Sequence, residues 1–180
     1  MEQIRYKQRI CSDETKIQEF LSKTRTGVVG ISGAKYPYCV PVNYIWKDGI
    51  VYFHGLGSGK KTELLRENSD VSFTVYEEIG TVKDMVPCHA DTAYMSVMLF
   101  GKAEKVKDSK ECAEVLQGIV EKFMPGFYQS KISQTLVEKY HSVHDNKGVA
   151  VYKIVPTQIT AKENAAEENE IFRKSGISEK

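Results

Sequence analysis

A nine-residue stretch, Tyr38 to Trp46, alternates so that Val40, Val42, Tyr44 and Trp46 share one face and Pro41, Asn43 and Ile45 the other. It runs into Lys47-Asp48-Gly49, read as a three-residue hairpin loop with glycine at its end, and Ile50 to His54 is the returning strand. Two strands joined this tightly must be antiparallel. A parallel sheet needs a long crossover between neighbours, so a doubly wound α/β fold is excluded for this segment.

The flanking pattern extends the argument. Ser12-Asp13 offers a helix cap before Ile17, Phe20 and Leu21, with Gly27 placed to stop the helix. Val28-Val29-Gly30-Ile31 is a short strand and Ser32-Gly33-Ala34-Lys35 a turn. Gly55 to Lys61 opens a short helix through Leu64, Leu65 and Arg66, closed by Asn68, and Val71 to Tyr76 is the next strand. Residues 77 to 91 read as a loop. Ala93 to Val106 is a long strand that Gly101 interrupts with a bulge or bend. Helices are expected at Lys110–Lys122 and Ser130–Tyr140, separated by Met124-Pro125-Gly126. A last strand begins at Val149 and continues beyond Pro156 to Thr160. Strands joined by hairpins, with helices inserted at intervals, predict an antiparallel barrel with helices at its margins. The domain is expected over 1–162, and 163–180 reads as a polar tail that frays or lies on a partner.

Charge and cysteine usage narrow the function. Lys and Arg total 25 against 24 Asp and Glu, a net charge of +1, which gives no footprint for a nucleic-acid partner. No run of eighteen apolar residues suggests a membrane helix, and the first six residues lack the apolar core of a secretory signal. Cys11, Cys39, Cys88 and Cys112 are scattered with no C-x-x-C pair, which predicts reduced thiols and a cytoplasmic location.

The chemistry-bearing stretch is Tyr52-Phe53-His54-Gly55-Leu56-Gly57-Ser58-Gly59-Lys60-Lys61. Open N–H groups at a helix start favour an anion, and glycine lets the anion reach the backbone. Ser58 can donate a hydrogen bond; Lys60 or Lys61 can supply charge. The spacing is neither a Walker A loop nor a dinucleotide G-x-G-x-x-G, so a phosphate cradle and a flexible glycine turn both stay open. Asn43 is equally readable as a ligand-facing amide or a surface residue, and Val42 and Trp46 read as core. His54 at the strand end reads as a proton donor, a cofactor contact or a structural residue. His141 and His144 stand at i, i+3 without further ligands nearby, which suits a helix end better than a metal site. Cys88 reads as an ordinary thiol.

Taken in order, the segments Pro37–Tyr44, Ile50–Gly55, Gly59-Lys60-Lys61, Asn68–Phe73, Tyr94–Val97 with Phe100–Ala103, and Val149–Ile154 with Ile159–Lys162 resemble one family. It is the FMN-binding split barrels like pyridoxamine 5'-phosphate oxidase, and specifically their nitroimidazole-resistance (Nim-type) branch. The resemblance covers about residues 5 to 162. It implies a mainly β chain: a six-stranded antiparallel split barrel with flanking helices, paired as a homodimer with two FMN sites at the interface. It also implies FMN contacts at Val42, Asn43, Tyr44, Phe53, His54, Gly55, Ser58, Gly59, Lys60, Lys61 and Ser96, with the lysines near the phosphate. The family often has Arg where Lys60 and Met95 stand; Lys keeps the charge of the first but loses the bidentate fork.

The activity so implied is a flavin-dependent oxidoreductase acting on a small molecule such as a nitroaromatic, with reduced nicotinamide as a candidate electron donor. His54 is then the candidate for proton delivery or substrate orientation. The alternative is a non-catalytic flavin- or haem-binding protein of the same fold, with His54, His141 or His144 as an axial ligand. Oxidation of vitamin B6 itself is disfavoured, because the chain lacks a basic set for a second phosphate.

Overall fold

A computed structural model describes residues 6–33 and 35–173. Ala34 of the expected turn, the first five residues and the last seven of the tail lie outside the described residues. The chain forms α1 (Glu14–Lys23), β1 (Thr26–Ile31), β2 (Tyr38–Lys47), β3 (Ile50–Gly55), α2 (Lys60–Glu67), β4 (Asp70–Val82), β5 (Asp91–Lys105), α3 (Ser109–Phe123), α4 (Gln134–Lys139) and β6 (Ala150–Asn164). The six strands close into an antiparallel barrel in the order β1-β2-β3-β6-β5-β4.

Strand alternation fills the barrel. Val29, Ile31, Val42, Tyr44, Val51, Phe53, Phe73, Val75, Val97, Leu99, Tyr152 and Ile154 point inward as one buried cluster. Helix α1 leads into the end where β1 starts, capped by Asp13, whose carboxylate accepts the Lys16 N–H at 3.0 Å. It contributes Phe20 and Leu21 to that cluster, and α2, between β3 and β4 at the other end, contributes Leu64 and Leu65. Helix α3, capped by Asp108, lies on the outer face of the barrel. There it buries Ile45, Tyr52 and Val151 with its own Cys112, Val115 and Ile119.

Several boundaries differ from the expectations, each for a local reason. Lys47 pairs with Ile50, so the hairpin loop is only Asp48-Gly49, both at positive φ, a mirror-image turn that matches the strands' twist. Gly27 lies inside β1, where the Phe73 ring fills the space a side chain would need. Residues 77 to 82 are not loop. They extend β4 against the start of β5 past a bulge at Glu78/Gly80, as an exposed arm whose charged faces hide the alternation. Helix α4 is shorter than Ser130–Tyr140 because Ser133 caps it, its hydroxyl accepting the Leu136 N–H. The expected break in β5 is real: the register with β6 shifts between Phe100 and Gly101. Strand β6 runs on to Asn164. Residues 170–172 then return to the chain's own β4 arm, where Lys83 N–H bonds the Glu170 carbonyl at 3.0 Å and Phe172 N–H bonds the Thr81 carbonyl at 2.8 Å. The open edge of that arm supplies the partners the tail needs.

Tyr44 ties α1 to the barrel. Its hydroxyl donates to the Leu21 carbonyl at 2.8 Å and sits 2.6 Å from the Thr24 hydroxyl. Burial pushes this phenol up to about 12, against the Thr24 hydrogen bond. Lys122 holds the same corner, donating to the Thr24 carbonyl at 2.6 Å with its ammonium 4.5 Å from the Tyr44 ring. Burial, then the Arg25 charge, push it down to about 8. The two groups act with opposite signs. Between pH 8 and 10.5 the unfolded chain binds more protons at Lys122 than the folded one, so stability rises with pH. Between pH 10 and 12 the unfolded chain loses the Tyr44 proton first, so stability falls, by roughly 2–3 kcal/mol across that window. Melting curves should therefore show Tm holding or rising to about pH 10 and falling beyond it. Tyr44→Phe should flatten the fall; curves that stay parallel above pH 10 would assign the loss to other groups.

Candidate functional site

The ladder between β2 and β3 ends at Tyr44↔Phe53, while the earlier half of β2 pairs with β1 instead. The next residues across would be Asn43 and His54. The strands part there, and both side chains face outward and are exposed, because their neighbours Val42, Tyr44 and Phe53 face in. Asn43 is held from one side: the Thr26 hydroxyl donates to its carboxamide oxygen at 3.2 Å, which leaves the amide N–H groups for a ligand. His54 is reached by water but crowded by its surroundings. Desolvation, and then the Lys61 charge, hold its imidazole below 6.5, so it is neutral at pH 7. In that form it accepts a proton or a hydrogen bond, and Lys61 is the cation that acts on it.

The glycine loop follows directly. Gly59 has φ +100°, a conformation L side chains rarely adopt, and α2 begins there with no side-chain cap. Gly57 lies against Lys147 and the Gly148 carbonyl, where a Cβ would sit 2.8–2.9 Å from them. The segment before β6 is thus laid onto the loop. The Ser58 hydroxyl donates to Asp145 at 2.7 Å, and this bond is the main reason that the Asp145 carboxyl lies below its usual range. The expected phosphate donor is therefore engaged by a carboxylate of the same chain.

The two lysines diverge. Lys60 is exposed, with its ammonium 5.3 Å from the Tyr38 ring of β2. Lys61 turns the other way and is half-buried. Its ammonium lies 5.4 Å from the Phe53 ring and 5.9 Å from the Tyr152 ring, which stack on each other with centroids 5.3 Å apart. Among the described residues it makes no ion pair, and burial lowers its pKa. A half-buried cation without a counter-charge is costly, and an incoming anion would relieve that cost.

The remaining sequence candidates fall in two groups. Val42, Tyr44 and Phe53 are adjacent to the split, but their side chains are buried in the barrel; only their backbone can reach a surface ligand. Gly55 continues β3 above Lys61. Ser96 faces outward from β5, paired with Tyr76 and Lys162, on the side of the barrel opposite β2. One chain does not bring it to Asn43 and His54. Met95 is inward and buried, so its departure from Arg fits a core position. His141 and His144 are exposed in the segment after α4, and no group of three or more His, Cys, Asp or Glu side chains gathers for a metal among the described residues. No helix among them is long and apolar enough to cross a membrane.

Asp145, Tyr38 and Tyr152 belong to this region and were not singled out in the sequence. Asp145 stands 87 residues from Ser58, and nothing local signals the contact. Tyr152 lies on the inward face of β6 and could have been found by alternation.

These features match known proteins. The pyridoxamine 5'-phosphate oxidase family profile fits residues 13–163. Among solved structures, the flavocytochrome Anf3 from Azotobacter vinelandii superposes with a TM-score of 0.74 at 24% identity, covering 94% of this chain and 77% of that one. A protein assigned to 5-nitroimidazole antibiotic resistance from Bacteroides thetaiotaomicron gives 0.65 at 25% identity, covering 85% of each. The FAD and heme binding protein from Mycobacterium smegmatis gives 0.71 at 16%, covering 88% and 74%. No curated protein matches significantly. With its profile matched over most of its length and its barrel shared by flavin-binding relatives, the chain belongs to the pyridoxamine 5'-phosphate oxidase family.

Proposed function

We propose that the protein is a homodimeric FMN-dependent oxidoreductase of the reducing cytoplasm that acts on a small molecule, with nitroaromatics as the first class to try and reduced nicotinamide as electron donor. One observation carries the reading: the strands part at Asn43 and His54 beside a glycine loop whose Lys61 ammonium has no ion-pair partner among the described residues. The residues suit a flavin. The Asn43 amide and the β2 backbone match the polar edge of a flat ring, and the open N–H groups of the loop with Lys60 and Lys61 match a phosphate. When bound, FMN supplies the hydride and electron transfer. The chain's own residues bind and orient: Lys61 offers a proton and a positive charge, and neutral His54 accepts a hydrogen bond that orients the bound molecules.

The same placement supports the dimer, given the flavin contact implied at Ser96. Ser96 meets the Asn43–His54 side only if a second copy presents its β5. The four cysteines are free thiols, as a reducing compartment requires. A haem-binding reading draws support from His54, because neutral imidazole is the ligating form.

His54→Ala tests the enzyme reading. The side chain is exposed and outside both apolar clusters, so Tm should stay within a few degrees. Turnover with reduced nicotinamide and a nitroaromatic should fall at least tenfold. In the wild type, activity should decline on acidification only below the ordinary imidazole range, where His54 takes up a proton. Unchanged turnover in the variant would remove His54 from the reaction.

A further inference from the structure

On the other flank of the glycine loop lies a cavity of about 540 Å³, open to solvent between the loop, α2 and the ends of β5 and β6. Its size falls within the usual range for small-molecule sites. Of the residues implied for the flavin, Ser58 and Gly59 reach its rim, while Asn43, His54, Lys60 and Lys61 do not line it. Three cations from three separate elements do: Arg66 from α2, Lys105 from the end of β5, and Lys147 from the segment that packs on Gly57. None of the three has an ion-pair partner among the described residues. The carboxylates of Glu63 and Glu67 also line the cavity, and Asp145 stands behind its rim, holding the Ser58 hydroxyl beside Lys147. Gly57, Ser58 and Gly59 form its rim, so the loop presents backbone to this side as well. Tyr152 and Leu65, both almost wholly buried, form its apolar side.

We infer that this cavity is a second anion seat, separate from the flavin's, which takes the diphosphate group of a small ligand. A guanidinium can grip two phosphate oxygens at once, and two ammonium groups add point charges around it. A diphosphate brings more negative charge than a carboxylate and spans more than one cation. The rim also explains why Gly57 lies so close to Lys147: the contact carries that lysine to the loop.

The test titrates inorganic pyrophosphate, and separately adenosine diphosphate, into the FMN-loaded protein and the flavin-free protein by calorimetry. Both forms should bind pyrophosphate, and Lys105→Ala combined with Lys147→Ala should weaken it at least tenfold, with FMN affinity unchanged. Both lysines are exposed and make no ion pair among the described residues, so an unchanged Tm is expected and checks the fold. Tighter binding of adenosine diphosphate than pyrophosphate would identify a nucleotide as the source; equal binding would identify the diphosphate alone. Competition between pyrophosphate and FMN, loss of FMN in the double variant, or no binding of either probe would overturn the second seat. A protein that takes up no FMN would defeat the flavin reading instead, and the flavin-free titration would still decide the cavity.

Discussion

Lys60→Ala combined with Lys61→Ala should weaken FMN binding at least tenfold and leave riboflavin nearly unchanged. Charge-assisted hydrogen bonds contribute roughly 1.5–3 kcal/mol each, and about 1.4 kcal/mol is a factor of ten. Riboflavin has the same ring and no phosphate, so general damage would weaken both ligands alike. The structure also divides the pair. Lys61 is half-buried without an ion-pair partner among the described residues, whereas Lys60 is exposed over Tyr38, so Lys61→Ala alone should account for most of the loss. Asp145 supplies a control of opposite sign: its carboxylate holds the Ser58 hydroxyl beside the loop. Asp145→Asn should tighten FMN by removing a negative charge from the phosphate's approach. Equal losses for FMN and riboflavin would move the phosphate elsewhere.

The second large effect is expected at Met98. Five outward-facing residues lie in register across the barrel, Pro41–Val28–Thr74–Met98–Thr160. Val28 and Met98 are each 39% exposed and Tyr76 on the same face is 54% exposed. Ser96, the flavin contact implied on β5, shares this face two residues away. If a second chain covers it, Met98→Asp places an unpaired carboxylate in an apolar contact, at a cost of about 3 kcal/mol or more. Sedimentation should then show monomers, and FMN affinity should fall with the dimer because Ser96 no longer reaches the other chain's site. On an uncovered surface the same change costs no more than about 0.5 kcal/mol. A variant that stays dimeric and keeps FMN would place the interface on another face.

The barrel was legible because its strands alternate and its hairpin is short: β2 and β3 could be read from Val40, Val42, Tyr44 and Phe53 alone. The arm of β4 was not, since Glu77, Glu78 and Ile79 are all exposed and two wet faces carry no alternation. The site was legible where it is local. The sequence of His54 to Lys61 announces a strand end, an anion-suited loop and a helix start. What the sequence does not carry is direction across the fold: that Lys61 turns in against the stacked Phe53 and Tyr152 rings while Lys60 turns out, or that Asp145 closes on Ser58. Those contacts come from packing between distant segments. The polar contact possible at Arg in place of Met95 is absent here because that position faces the core.

The most direct measurement is the absorption spectrum of the protein mixed with excess FMN and freed of unbound cofactor by gel filtration. A flavin spectrum should stay with the protein, at one FMN per chain, and Lys60→Ala with Lys61→Ala should lose it during filtration. A protein that emerges without flavin, or one that instead retains haem with its Soret band at this site, would contradict it.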